Sequence, residues 1–303
     1  MFKFNSLSEL VTRFKDEETC IRYLEVIQWG EKPVSPFDPT SKVYRCSGNK
    51  YKCSKTGKYF NARYGTIFHR SSIPLQKWYM AIWIFMTHRK GLSSVQLGKD
   101  ISVTQKTAWM MLQKIRECFG EDNNSKLDGI IEIDETFVGG KNKNRHKDKK
   151  VAKCHGRSYK DKTPVFGMLQ RSGKVVAKVV ENTKAKTLYR HIRKHIKKGS
   201  TVYSDEWNYG PGLSRNYNHD FIHHSWGVYG KGEVSTNGIE GFWSILKRGI
   251  IGIYHQVSRK YLQRYVDEFV FRYNMRNVEP QEVFNHILTN SYYSNLKDLT
   301  YAS

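Results

Sequence analysis

Three acidic side chains and a group of cations are the residues of this chain with chemistry in them. Asp134 lies in Ile130-Ile131-Glu132-Ile133-Asp134-Glu135-Thr136-Phe137-Val138, Asp205 in Ser204-Asp205-Glu206-Trp207, and Glu240 in Thr236-Asn237-Gly238-Ile239-Glu240-Gly241-Phe242-Trp243. A hard cation such as Mg²⁺ takes carboxylate oxygens and keeps several waters. Three converging carboxylates would therefore hold a pair of ions without closing their coordination shells. Two ions about 4 Å apart stabilise both the attacking and the leaving oxygen of a phosphoryl transfer. Lys247 follows Glu240 by seven residues. On a helix this places them within about 20° and about 10 Å of each other, a carboxylate and a phosphate-contacting cation on one face. Arg248 stands beside them.

Taken singly, each of these acids is more often a turn former, a helix cap or a solvated side chain than a ligand. Their combination in one chain is the specific signal. Glu206 is the neighbouring alternative to Asp205. Glu132 and Glu135 are expected on the strand face opposite Asp134 and are set aside.

The elements that must position these groups follow from periodicity. Gly129 to Val138 reads as a strand, with Pro164 to Leu169 and Lys174 to Val180 as the next two. Lys184 to Lys197 is an amphipathic helix and Thr201-Val202-Tyr203 a fourth short strand, followed by an irregular polar and aromatic stretch through Tyr209, Tyr217 and His223-His224. With Glu240 at 0° and about 100° per residue, Ile239, Phe242, Trp243, Leu246 and Ile250 fall in one stripe that a core can bury. A last long helix spans Lys260 to Arg276, and Pro280 to Leu288 is expected as a closing short helix. Trp207, Tyr209 and Trp243 are expected to stack on bases near a strand end.

Residues 141–162 carry ten Lys/Arg against two Asp and show no apolar periodicity. This segment directly follows the Asp134 strand, so Lys141, Lys143 and Arg145 are expected to grip phosphates.

Upstream, residues 6–28 read as one helix capped by Ser6 or Ser8. Tyr44-Arg45-Cys46 and Tyr51-Lys52-Cys53 form a hairpin, and Tyr59-Phe60 is a possible third strand. Residues 72–118 are helical: Pro74 starts a first helix that Gly91 ends, and Leu92 to Gly98 is a short second one. Ser102 with Gln105 has the capping-box form. A third helix follows, with Ala108, Met111, Leu112 and Ile115 at i, i+3, i+4 and i+7. A short helix, a tight turn and a longer helix make a helix-turn-helix candidate, with Thr104, Gln105, Lys106 and Thr107 placed to meet base edges.

Composition sets the class. The chain has 303 residues, 39% hydrophobic and 14% aromatic, so it folds. Its 51 Lys+Arg against 28 Asp+Glu give +23, which makes polyanions natural partners. No apolar run approaches the ~18 residues that cross a bilayer, and Met1-Phe2-Lys3-Phe4-Asn5 lacks a signal-peptide core. A cytoplasmic protein, nucleoid-associated when bound, is expected. Cys20, Cys46, Cys53, Cys118 and Cys154 are odd in number and scattered, against a disulfide framework. Cys46 and Cys53 lack the close pairing of a structural zinc site, so zinc is not expected.

Ile133-Asp134-Glu135-Thr136-Phe137-Val138-Gly139-Gly140-Lys141, Ser204-Asp205 and Asn237-Gly238-Ile239-Glu240-Gly241-Phe242-Trp243-Ser244 with Lys247 resemble bacterial insertion-sequence transposases of the DDE superfamily. Gly252-Ile253-Tyr254-His255 and Glu268-Phe269-Val270-Phe271-Arg272-Tyr273-Asn274 look like the same subgroup, and Asp205 and Glu240 are 35 positions apart, close to its motif. The resemblance implies an α/β fold: a ribonuclease H-like catalytic domain over residues 127–280. Before it would come an N-terminal helix with a degenerate zinc-ribbon-like hairpin (1–71) and a helix-turn-helix (72–120), and after it a C-terminal helix and tail (281–303). It implies Asp134, Asp205 and Glu240 as metal ligands for two Mg²⁺ or Mn²⁺ ions, with Lys247 as the family's basic residue. Of four ribbon ligands only Cys53 remains, among Ser35-Pro36-Phe37-Asp38 and Cys53-Ser54-Lys55-Thr56, so a metal-free hairpin is expected. The implied activity is cleavage at terminal inverted repeats and joining of the freed 3′-hydroxyls to target DNA, by a homo-oligomer on double-stranded DNA. The alternatives are a catalytically silent sequence-specific DNA-binding protein and a metal-dependent nuclease that never joins.

Overall fold

The apolar residues around Asp134 build the sheet that carries it. The computed structural model describes residues 3–120, 122–139, 146–150, 162–205, 211–221 and 235–300. In chain order its elements begin with α1 (Leu7–Arg13), α2 (Glu17–Trp29), β1 (Val43–Cys46), β2 (Lys50–Cys53), β3 (Tyr59–Phe60), α3 (Leu75–Thr87), α4 (Ser94–Asp100) and α5 (Gln105–Glu117). There follow β4 (Ile130–Val138), β5 (Thr163–Gln170), β6 (Val175–Val179), α6 (Ala185–His195), β7 (Thr201–Ser204), α7 (Pro211–Ser214) and β8 (Asn218–Phe221). The last are α8 (Asn237–Gly249), α9 (Leu262–Asn274) and α10 (Pro280–Thr300). The chain divides into two compact units, Met1–Gly120 with Asn277–Ser303, and Glu121–Arg276. No helix among the described residues is long and apolar enough to cross a membrane.

The second unit is a mixed five-stranded sheet in the order β6-β5-β4-β7-β8. β4, β5 and β6 pair antiparallel; β7 lies parallel to β4, and β8 parallel to β7. Alternation along β4 feeds two cores. Ile131 and Ile133 join Phe166, Met168, Val176 and Val202 against Leu188 and Ile192 of α6. Val138 joins Val165, Leu169 and Val175 against α8 and α9.

β8 corrects the expectation of an irregular stretch after β7. Asn218-His219-Asp220-Phe221 has no apolar alternation because this edge strand buries little; backbone pairing with Thr201–Ser204 makes it a strand. The opposite edge, β6, is covered by amide side chains. Val175 N–H donates to Asn274 Oδ1 at 2.8 Å, Ala177 N–H to Asn123 Oδ1 at 2.9 Å, and Val179 N–H to Gln263 Oε1 at 2.7 Å. Asn274 Nδ2 returns a bond to the Val175 carbonyl at 3.0 Å.

In the first unit, residues 6–28 form two helices and not one. Ser6 caps α1 and Asp16 caps α2, each accepting from a backbone N–H three residues on. The break lets Phe14 enter a buried ring cluster with Phe4, Tyr23, Tyr79 and Phe284 of α10. Between α4 and α5 the turn is pinned by a bond from Val103 N–H to the Gly98 carbonyl at 2.9 Å. A Cβ at Gly98 would lie 3.0 Å from the Val103 carbonyl oxygen, so glycine lets the turn sit against α4. Ser102 does not cap α5 as its spacing with Gln105 predicts. It takes a left-handed backbone (φ +53°), and Thr104 accepts from Thr107 N–H at 3.2 Å instead.

β1, β2 and β3 form a small antiparallel sheet around the buried Cys53. Burial pushes the Cys53 thiol up, but hydrogen bonds with Ser35, Ser41 and Thr56 outweigh it and bring it down to about 6. Asp38 pairs with Lys55 at 3.0 Å. Hydroxyls and one ion pair thus hold the loops together around this thiol.

Candidate active site

α8 carries Glu240 on an exposed face because its other face is anchored. Ile239, Phe242, Trp243, Leu246 and Ile250 are all 7% exposed or less. Full burial of each such side chain contributes roughly 1.5–3 kcal/mol. Glycine lets the helix approach the sheet. Gly167 pairs with Asp134 across β4 and β5. A Cβ at Gly167 would stand 2.5 Å from Cζ2 of Trp243, so the indole lies directly on the strand.

That seat places Trp243 Nε1 2.9 Å from Asp134 Oδ2, to which it donates. Asp134 is half-buried. Burial, then the charge of Asp205, then that of Glu135 push its carboxyl up to about 7, against the backbone N–H of Glu135 and the indole N–H, which lower it. Asp205, just past the end of β7, is thus electrostatically coupled to Asp134. The Thr236 hydroxyl, 1% exposed, donates to Asp205 Oδ1 at 2.5 Å, and Glu240 Oε1 lies 3.4 Å from the same hydroxyl oxygen. Asp134 and Asp205 meet through their fields, Asp205 and Glu240 through Thr236. Among the described residues no three His, Cys, Asp or Glu side chains stand close enough together to hold an ion as they are. The donor chemistry nonetheless fits a hard divalent cation: carboxylate oxygens, with Asp134 already raised by burial and by the charge of Asp205.

Two expectations are overturned here. Glu132 is not opposite Asp134; residues two apart on a strand share a face, and both acids point to α8. Glu132 Oε2 accepts from Ile239 N–H at 3.0 Å. Trp243 is 4% exposed and donates to Asp134, so it is not available to stack on a base.

Lys247 and Arg248 are exposed on α8, with Arg248 Nε bonded to the Ser244 carbonyl at 3.1 Å. In the first unit Thr104, Gln105 and Lys106 are exposed at the start of α5, Thr107 is half-buried, and Trp109 one turn on is 37% exposed. Lys141, Lys143, Arg145, Glu206, Trp207 and Tyr209 lie outside the described residues.

Sequence reasoning missed Thr236, Arg171 and the charge on α6. Lys184 to Lys198 holds seven Lys/Arg and no acid. Leu188, Ile192 and His195 are buried, while Lys186, Arg190 and Arg193, at i, i+4 and i+7, are exposed along one stripe. With Ala185 and Tyr189 they line a shallow depression of about 560 Å³. The signal was the repeat of cations opposite the apolar stripe.

Residues 126–274, about half of the chain, match the ISXO2-like transposase domain. Over 294 residues the chain is 25% identical to an uncharacterized protein in the transposable element ISH50 of Halobacterium salinarum, covering 92% of this chain and 98% of that protein. Among solved structures, a Mos1 transposase paired-end complex with left transposon end is 13% identical, covering 94% of this chain and 97% of that one, at a TM-score of 0.28. A Mos1 strand transfer complex is 12% identical, covering 96% and 99%, at a TM-score of 0.26.

Proposed function

We propose that this chain, an insertion-sequence transposase of the DDE type by its match over residues 126–274, binds the terminal inverted repeats of its element, cleaves to free 3′-hydroxyls and joins them to target DNA. Asp134, Asp205 and Glu240 hold two divalent ions, Mg²⁺ or Mn²⁺. The observation that carries this reading is Asp134: a half-buried carboxylate raised to about 7 by burial and by Asp205, beside the helix that bears Glu240. Asp134 stands in the field of a second carboxylate, and its own donors include an indole and a backbone N–H. Bound divalent ions would activate a water or 3′-hydroxyl and neutralise charge on the phosphodiester.

The protein's own groups have distinct tasks. Trp243 fixes the orientation of Asp134, and Thr236 holds Asp205 near Glu240. Lys247, exposed on the Glu240 helix, contacts a phosphate. Lys186, Arg190 and Arg193 on α6 contact the duplex backbone without reading sequence. Thr104, Gln105, Lys106 and Thr107 read base edges from the first turn of α5 in a helix-turn-helix. The mixed sheet is a ribonuclease H-like core. Two element ends must be brought together, so the working form is a homo-oligomer on DNA.

Strand transfer in vitro with element-end DNA and Mg²⁺ tests this. Joined products that disappear in Asp205→Asn and Glu240→Gln support it; full activity in either variant sinks it. A DNA-binding protein without chemistry is the second reading, favoured by the lack, among the described residues, of three acids at ion-holding distance. End-DNA binding with no cleavage under any divalent metal would establish that reading instead.

A further inference from the structure

We infer that Glu132 and Arg171 are positioning residues that hold the three acid-bearing elements in register for a divalent cation; the inference rests on the site reading just proposed. Glu132 is 3% exposed and uses both carboxylate oxygens. Oε1 accepts from Arg171 Nε at 2.9 Å, and Oε2 from Ile239 N–H at 3.0 Å. Arg171, in the turn between β5 and β6, also donates through Nη2 to the Ser235 carbonyl at 3.1 Å and the Ser235 hydroxyl at 2.8 Å. Its guanidinium lies 5.0 Å from the centre of the Tyr203 ring.

These contacts reach every element that bears a candidate ligand. Glu132 is two residues before Asp134 on the same face of β4. Tyr203 is two residues before Asp205 at the end of β7. Ile239 directly precedes Glu240 on α8. One ion pair, between a buried Glu132 and a half-buried Arg171, therefore ties three distant segments together, each within two residues of an acid.

The start of α8 shows why Glu132 is needed. The first N–H groups of a helix have no partner within it. Thr236 occupies the usual capping position, yet its side chain makes no capping bond, because its hydroxyl serves Asp205 and faces Glu240. Glu132 supplies the missing acceptor from β4, with its charge at the positive end of the helix dipole. Gly238 makes room, since a Cβ there would stand 2.8 Å from Glu132 Oε2. Thr236 is thereby released to the site. A buried carboxylate such as Glu132 is a poor choice for stability alone, because well-packed apolar groups often do as well or better. Here the guanidinium's planar fork spans two partners at fixed angles, which a Lys ammonium does not reproduce.

The test uses full-length Arg171→Lys and Glu132→Gln, with Ser235→Ala as a milder variant that removes only the hydroxyl partner. The readout is binding of Mn²⁺ to the DNA-free protein, taken from the metal-dependent rise in unfolding temperature, alongside strand transfer as a function of Mn²⁺. Half-saturating Mn²⁺ should rise about 10–100-fold in Arg171→Lys and Glu132→Gln, the range for residues that orient metal ligands. It should rise several-fold in Ser235→Ala, and high Mn²⁺ should recover joining in all three. A merely structural pair would lower the unfolding temperature and leave half-saturation where it is in the wild type. That result, in any variant that folds, overturns the inference. Asp134→Asn is the control for the site itself. If it keeps the wild-type Mn²⁺ response, the site reading fails; if it loses the response while Arg171→Lys and Glu132→Gln keep wild-type half-saturation, only the inference fails.

Discussion

Replacing Asp134 by Asn should make the metal-free protein more stable at pH 8 while removing its chemistry. Burial, Asp205 and Glu135 carry the Asp134 carboxyl from its ordinary 3.8 up to about 7 in the native protein. Between those values the native state holds a proton that the unfolded chain has lost. Stability from this group is therefore full below about pH 3.8 and falls as pH rises through about 7. At about 1.4 kcal/mol per pH unit, the ionised native carboxylate costs roughly 4 kcal/mol at pH 8, and roughly 2–3 kcal/mol of that cost develops between pH 5 and 8. Asn carries no charge, and its Oδ1 still accepts from Trp243. Its own stability should not follow this titration. The assay is urea unfolding in EDTA, followed by circular dichroism at pH 5, 6, 7 and 8. The variant should gain on the wild type by about 1–3 kcal/mol between pH 5 and 8, since partial exposure softens the full figure. Parallel pH profiles for the two proteins, or a variant less stable than the wild type at pH 8, would refute the electrostatic account of the site.

Three further perturbations follow from the geometry. Gly167→Ala drives a methyl into the Trp243 indole and should cost about 1–3 kcal/mol of stability, with strand transfer lost more completely than DNA binding. Replacing Lys186, Arg190 and Arg193 together by Ala should reduce the slope of log binding constant against log salt by about 0.9 for each phosphate no longer neutralised, equally for element ends and unrelated duplexes. Gln105→Ala should reduce the preference for element ends over unrelated DNA by roughly 1–3 kcal/mol if the side chain pairs with a base edge, with the salt slope unchanged in a filter-binding titration.

Much of the scaffold is legible in the sequence. The stripe of Ile239, Phe242, Trp243, Leu246 and Ile250 is buried as its spacing dictates, and the strands around Asp134 fall within a residue or two of their expected limits. Those elements have strong apolar periodicity, the signal that burial writes into a sequence. β8 is hidden because Asn218 to Phe221 is specified by pairing with β7, not by its own pattern. The break between α1 and α2 is hidden because Phe14 fits a helical stripe, whereas Asp16 capping decides the boundary. At the site, three scattered acids are visible as types and spacing. Trp243 reads as a base-stacking residue because an aromatic beside an acid carries no mark of its direction; only the seat on Gly167 turns its N–H to Asp134. Arg171 looks like an ordinary turn residue because its partners are 39 and 64 positions away.

The amides along β6 bear on how copies of this chain would pack in the oligomer proposed above. A second copy seeking to continue the sheet there would have to displace Gln263 and Asn274, from the two ends of α9, and Asn123, from a stretch far earlier in the chain, which close over the strand together. In the homo-oligomer proposed above, protomers would therefore pair elsewhere than along that border. Crowding many copies on neighbouring sites should not, on this flank, seed fibrous growth.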